Sequence, residues 1–180
     1  MKKELFKEIE IPKGIEVKID RNILIVKGPE GENKKRFSIR GLIFEKKDNK
    51  IIIGNKKATK KEKKMMNTIF SHIKNMIKGV QKKFEYKLKI CFNHFPITVE
   101  VKDNEAIIKN FLGEKIPRKV KIKGGTEVEV DKGVITVKSS DKELAGQTAA
   151  NLEKATRIRM KDRRVFQDGI FIINKAGREI

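Results

Sequence analysis

Residues 15–32 read IEVKIDRNILIVKGPEGE, and residues 97–114 read ITVEVKDNEAIIKNFLGE. Aligned without gaps at an offset of 82, Val17 falls on Val99, Asn22 on Asn104, Ile25 on Ile107, Lys27 on Lys109 and Gly31 on Gly113. Both stretches alternate apolar and polar residues on either side of a short polar turn. That is the pattern of a half-buried hairpin, because successive side chains of a strand face opposite sides of the sheet. A proline precedes each stretch, Pro12 and Pro96.

The repetition extends outward. Ile51-Ile52-Ile53 corresponds to Val134-Ile135-Thr136 at an offset of 83. Thr59-x-x-Glu62 and Ser140-x-x-Glu143 follow at an offset of 81. In such a pair the Ser or Thr oxygen accepts the third helical N–H, and the Glu reaches back to the cap's own N–H, so each announces a helix. Three features within one residue of the same offset identify a duplicated domain. The expected fold is α+β, with two tandem homologous domains, each an antiparallel-rich sheet covered by one main helix. The expected boundaries are 1–82 for the N-terminal repeat and 83–180 for the C-terminal repeat.

The first helix places Met66, Ile69, Phe70, Ile73, Met76, Ile77 and Val80 on one face, with Gly79 suited to its C-terminal cap. The second offers a smaller face of Leu144, Thr148, Leu152 and Ala155. A sheet with one apolar face must be covered, so these stripes read as packing surfaces. Residues 85–92 form a linking strand, with Leu88, Ile90 and Phe92 in phase. Gly124-Gly125 reads as a two-glycine hairpin between strands 120–123 and 126–130.

The chain has 180 residues with 44 Lys+Arg against 24 Asp+Glu, a net charge of +20. So large a positive charge opposes compaction and points to a polyanionic partner. One cysteine, Cys91, excludes an internal disulfide framework and argues against a tetrahedral structural zinc. No apolar run approaches the ~20 residues of a membrane-spanning helix. The start, Met1-Lys2-Lys3-Glu4, carries no signal-peptide pattern, so the expected location is the cytosol.

A search for catalysis finds little. Cys91 and His94 are three residues apart, and on a strand that spacing points them to opposite faces. His72, beside Ile73, reads as a boundary or core histidine. Gly28-Pro29-Glu30-Gly31 has the spacing of a phosphate-cradling loop but lacks the following Lys-Ser/Thr and the helix, so it reads as a hairpin turn. Aromatic residues are 6% of the chain, and most Phe residues fall in apolar phase. Phe111, in the second hairpin turn, is expected to be the exposed exception. The composition suits phosphates and folded RNA shape more than stacking on single-stranded bases.

The charges are unevenly distributed. Residues 1–90 carry a net +15, mostly as singly spaced lysines that suit a solvated face, and residues 91–180 carry +5. Two segments of the second half are locally dense. One holds Lys115, Arg118, Lys119, Lys121 and Lys123. The other holds Lys154, Arg157, Arg159, Lys161, Arg163 and Arg164, interrupted only by Asp162. Arginine offers a planar fork of donors that matches phosphate oxygens.

Four blocks carry a family resemblance: SHIKNMIKGV (71–80), HFPI (94–97), NFLGEK (110–115) and DRRVFQDGI (162–170). Together with the duplicated unit they resemble the large-ribosomal-subunit protein six family, called protein nine in eukaryotic naming, over residues 9–173. NMIKGV and NFLGEK look like its archaeal and eukaryotic branch, and the short end after Asn174 leans towards the archaeal side. The resemblance implies a structural rRNA-binding protein of the large subunit, near the factor-binding region and the sarcin–ricin loop. Together with the search of the residues above, the expectation is of no enzymatic activity, cofactor, metal, membrane or small-molecule substrate. Its partners are large-subunit rRNA and neighbouring ribosomal proteins. The family's RNA-contacting positions fall on Asn110, Phe111, Gly113, Lys115, Arg118 and Lys119. They fall also on Arg157, Arg159, Lys161, Arg163 and Arg164, so both dense segments are included. The alternative is a free-standing basic RNA-binding or RNA-modifying protein.

Overall fold

The computed structural model describes residues 3–39 and 41–180. The chain divides into two compact units between Lys83 and Phe84. The fold is α+β, and each unit repeats one layout: a three-stranded meander, a second sheet and a helix that packs on strands of both.

In the first unit, strands β2 (Glu16–Asp20), β3 (Ile23–Gly28) and β4 (Gly31–Arg36) form the meander. Strands β1 (Lys3–Glu10), β5 (Ile43–Lys47) and β6 (Lys50–Ala58) form the other sheet, in the order β1-β6-β5. Helix α1 (Lys60–Gln81) covers strands of both sheets. Alternation does the sorting: Leu24 and Val26 of β3 and Ile51 and Ile53 of β6 are fully buried, against Met66, Ile69, Ile73, Ile77 and Val80 of α1. The Thr59–Glu62 capping box is present, with Thr59 N–H donating to Glu62 Oε2 at 2.9 Å. Gly79 differs from expectation. It lies buried inside the helix, which runs on to Gln81 and ends at an extended Lys82.

Gly28-Pro29-Glu30-Gly31 is a hairpin turn, with Gly28 opposite Gly31 in the ladder. It docks on the last turn of α1, where Glu30 N–H donates to Val80 O at 3.0 Å. A β-carbon on Gly28 would lie 2.8 Å from that same carbonyl oxygen. Glycine is needed there for close approach, not for a phosphate.

The second unit starts with β7 (Phe84–Cys91). Strands β8 (Thr98–Lys102), β9 (Glu105–Lys109) and β10 (Arg118–Lys121) make its meander. Strands β11 (Thr126–Asp131) and β12 (Val134–Ser139) join β7 in the second sheet. After helix α2 (Lys142–Ala155), β13 (Gly169–Lys175) and the short β14 (Arg178–Glu179) extend that sheet to β11-β12-β7-β13-β14. The face of α2 that packs inward is Ala145, Thr148, Ala149 and Leu152, so Leu144 and Ala155 are only half-buried. Its cap is Asp141, one residue later than the Ser140 expected: Asp141 Oδ1 accepts from Glu143 N–H at 2.8 Å.

The Gly124-Gly125 hairpin is corrected by the ladders. β10 pairs with β9, β11 pairs with β12, and the two glycines carry the chain from one sheet to the other. Alternation marks a strand but does not name its neighbour, and two strands flanking a turn imitate a hairpin. The true hairpin turn, Lys132-Gly133, has φ of 44° and 82° and so takes the left-handed conformation of a two-residue turn.

Gly28→Ala is expected to destabilise the protein by about 1–3 kcal/mol, because a buried contact between backbone and β-carbon must open. Urea unfolding of the variant and parent measures it, and equal midpoints would contradict the docking of the turn on α1.

Candidate nucleic-acid interface

Three loops meet at one end of the second unit: residues 92–96 after β7, residues 110–117 between β9 and β10, and residues 156–168 between α2 and β13. The ladder starts the arrangement. Cys91 at the end of β7 lies opposite Gly169 at the start of β13, so the segments just outside that pair run side by side.

Asp168 joins them. Its carboxylate, 1% exposed, accepts from Asn93 N–H at 2.7 Å and His94 N–H at 3.0 Å through Oδ1. His94 Nδ1 lies 2.6 Å from Oδ2. An ionised carboxylate only accepts, so the Nδ1 proton is the donor. Burial by itself would push the Asp168 carboxyl up. The two backbone donors, with the His94 ring, outweigh it and lower the pKa to about 2.

The same histidine stacks on Phe166, ring centroids 4.8 Å apart and planes 21° from parallel. Lys161 Nζ sits 4.5 Å from the centroid of that ring. The base of the basic loop is anchored as well. Buried Thr156 Oγ1 accepts from Ile170 N–H at 2.8 Å, and Asp162 Oδ1 accepts from Arg164 N–H at 2.9 Å. The loop is therefore a built structure with its cations outward: Arg157, Arg159, Lys161, Arg163 and Arg164 are all exposed. With Lys154 and Phe171, it borders a groove of about 550 Å³.

The middle loop is tied to both neighbours. Arg118 donates through Nε to Glu114 Oε2 at 2.7 Å, through Nη2 to Glu114 Oε1, and through Nη1 to Ala155 O, the last residue of α2, at 2.5 Å. Its guanidinium lies 4.3 Å from the centre of the Phe111 ring. Donation from Arg118 holds the Glu114 carboxyl below its usual range, and the charge of Lys161 adds to the effect. On the other side, Asn110 Nδ2 donates to Pro96 O at 3.1 Å. Gly113 has φ of 78°, and a β-carbon there would sit 3.4 Å from the Phe95 ring.

Of the residues singled out from the sequence, Asn110, Gly113, Lys115, Lys119 and the five cations of residues 156–168 are exposed. Two behave otherwise. Phe111, expected to be exposed, is 1% exposed and belongs to the core. It lies in a tight turn between two left-handed residues, Asn110 (φ 58°) and Leu112 (φ 50°), with its ring in the core beneath the loop. Arg118 is half-buried with its fork engaged inside the protein. Of the Cys91 and His94 side chains that the sequence places on opposite faces, His94 bonds Asp168 through its ring. The sequence reading missed Asp168, Phe166 and His94 as organisers of the site. Their blocks, HFPI and DRRVFQDGI, were visible, but a bond across 74 positions has no local signature.

Asp168 is less basic folded than unfolded, so its ionisation stabilises the fold above about pH 4, and that contribution fades as pH falls through about 2. Asp168→Asn is expected to lose roughly 2 kcal/mol near neutral pH and almost nothing near pH 2. Thermal unfolding followed by circular dichroism across that range checks it, and a pH-independent difference would contradict the assignment.

Comparison with known proteins agrees with this architecture. The model of the family described as ribosomal protein L6 matches residues 11–83 and again residues 95–169. The chain is 46% identical over 168 residues to the large ribosomal subunit protein uL6 of Methanobrevibacter smithii, covering 93% of this chain and 94% of that protein. It is 48% identical to uL6 of Sulfurisphaera tokodaii over 172 residues, covering 95% and 92%, and 45% identical to uL6 of Archaeoglobus fulgidus over 179 residues, covering 96% and 91%. With both repeats matched in order and archaeal relatives nearly half identical along almost their whole length, the chain belongs to the ribosomal protein L6 family.

Proposed function

We propose that this protein is a constituent of the large ribosomal subunit, in the cytosol, that binds and positions rRNA near the factor-binding and sarcin–ricin region and performs no catalysis of its own. The names carried by its relatives support the subunit. Large-subunit rRNA is the main partner and neighbouring large-subunit proteins are the others. The RNA-binding segments lie in the C-terminal repeat.

The observation that carries this reading is the clamped loop end of the second unit. Five exposed cations project from residues 156–168; of the two acids of that segment, Asp168 is buried and bonded inward, and Asp162 is exposed and pairs with Arg164 alone among them, Oδ1 to Nε at 3.7 Å. Lys115 and Lys119 add charge from the neighbouring loop and strand. A-form RNA offers phosphates and a shallow minor groove, which rigid loops can follow and a flat sheet cannot. Within the site the roles differ. Arg157, Arg159, Lys161, Arg163, Arg164, Lys115 and Lys119 meet phosphates, Asn110 and Gly113 let backbone approach, and Arg118 and Phe111 hold the loop from behind.

Replacing Arg157, Arg159, Arg163 and Arg164 together by Ala is expected to weaken binding to large-subunit rRNA and to flatten its salt dependence. Each lost phosphate contact removes up to about 0.9 from the log–log slope. Filter binding across a salt series reads both quantities, with circular dichroism verifying the fold. Unchanged affinity and slope would refute the proposal.

A further inference from the structure

Five of the ten exposed large apolar side chains of the second unit sit on the three loops at this end. Phe92 (53% exposed) and Phe95 (47%) flank His94, Ile116 tips the middle loop, and Met160 and Val165 tip the basic loop. An exposed aromatic ring on a mobile loop means little, but residues 92–96 are held from both sides. Asp168 takes the N–H groups of Asn93 and His94, and Asn110 donates to the carbonyl of Pro96. The Phe95 ring borders Gly113, where a side chain would meet it, and still leaves nearly half its surface open.

The loops that border it carry cations, with the one acid between Gly113 and Lys115, Glu114, already paired with Arg118. Lys115 follows Gly113 by two residues, and Lys161 lies over Phe166, which itself stacks on His94, the neighbour of Phe95. A rigid aromatic face with cations on the adjoining loops is an arrangement that receives a nucleobase while its phosphates are neutralised nearby. An apolar patch meant for a protein partner would sit in surroundings less charged than these.

We infer that Phe95 is a base-stacking position: the interface takes an unpaired rRNA nucleotide on this ring, with Lys115 and Lys161 holding the adjacent phosphates. This deepens the rRNA-binding reading and rests on it. It also changes the expectation drawn from composition, which favoured phosphate and shape contacts alone. Base stacking adds selectivity for loops and bulges, because a base inside a continuous duplex does not offer its face.

The test binds the full chain to large-subunit rRNA and probes the RNA in two ways. Hydroxyl-radical cleavage reports covered backbone, and 2′-hydroxyl acylation reports immobilised unpaired nucleotides. With the parent protein both protections are expected. Phe95→Ala should lose protection at one or a few unpaired nucleotides, keep the backbone footprint, and weaken binding about 5- to 100-fold with the salt slope unchanged. Phe95→Tyr should restore both the protection and the affinity, which a merely structural role for the loop would not separate from the footprint. The inference is overturned if the parent protects backbone only, or if Phe95→Ala leaves every protected nucleotide in place. A failure of the rRNA-binding reading looks different: no footprint of either kind.

Discussion

Asp168 carries a negative charge out of water, and three donors from the loop after β7 make that tolerable: Asn93 N–H, His94 N–H and the His94 ring. The antiparallel pairing of β7 with β13 brings these segments into register, and the carboxylate locks what the register aligns. His94, once oriented, supports Phe166, and Phe166 supports Lys161. Residues 156–168 have no regular secondary structure to stiffen them. Without this chain of contacts their cations would be presented by a loose loop, and binding of any anionic partner there would bear the cost of ordering it.

Charge in this protein divides into what faces solvent and what holds the frame. Arg118 belongs to the dense basic segments, yet its guanidinium joins Glu114, Ala155 O and the Phe111 ring into one block. A lysine could not replace it, because only the planar fork bonds a carboxylate at two points and a carbonyl at a third while lying flat on an aromatic face. The lysines of α1 are a different case. The helix buries one apolar stripe and turns Lys60, Lys61, Lys63, Lys64, Lys74 and Lys78 to solvent, which is what a long amphipathic helix with so basic a composition must do.

The duplication, the α+β class and the presence of the two helices were legible because each rests on local periodicity or on a fixed offset between copies. The capping box at Thr59 was legible for the same reason, and the one at Ser140 missed by a single residue, since Asp141 is an equally good acceptor. The misread hairpin at Gly124-Gly125 shows where local reading stops. Whether two successive strands pair is settled by which sheet has an open edge, and that is a property of the whole unit. Phe111 fails similarly, because left-handed residues on both sides of it, Asn110 and Leu112, turn the chain away from the path that the hairpin pattern assigned to it.

The sequence by itself pointed to a polyanionic partner, through a net charge of +20, and determined the two-repeat architecture, through matched alternation and matched helix starts. It also marked both dense basic segments. Only the tertiary structure decided which of those cations face outward, because Arg118 and Arg157 look alike until Glu114 and Ala155 O are placed beside one of them. It alone joined His94 to Asp168 and left Phe95 open above Gly113. The physical reason is range: periodicity and charge are summed along the chain, whereas burial and hydrogen-bond satisfaction are decided by neighbours that folding brings from far away in it.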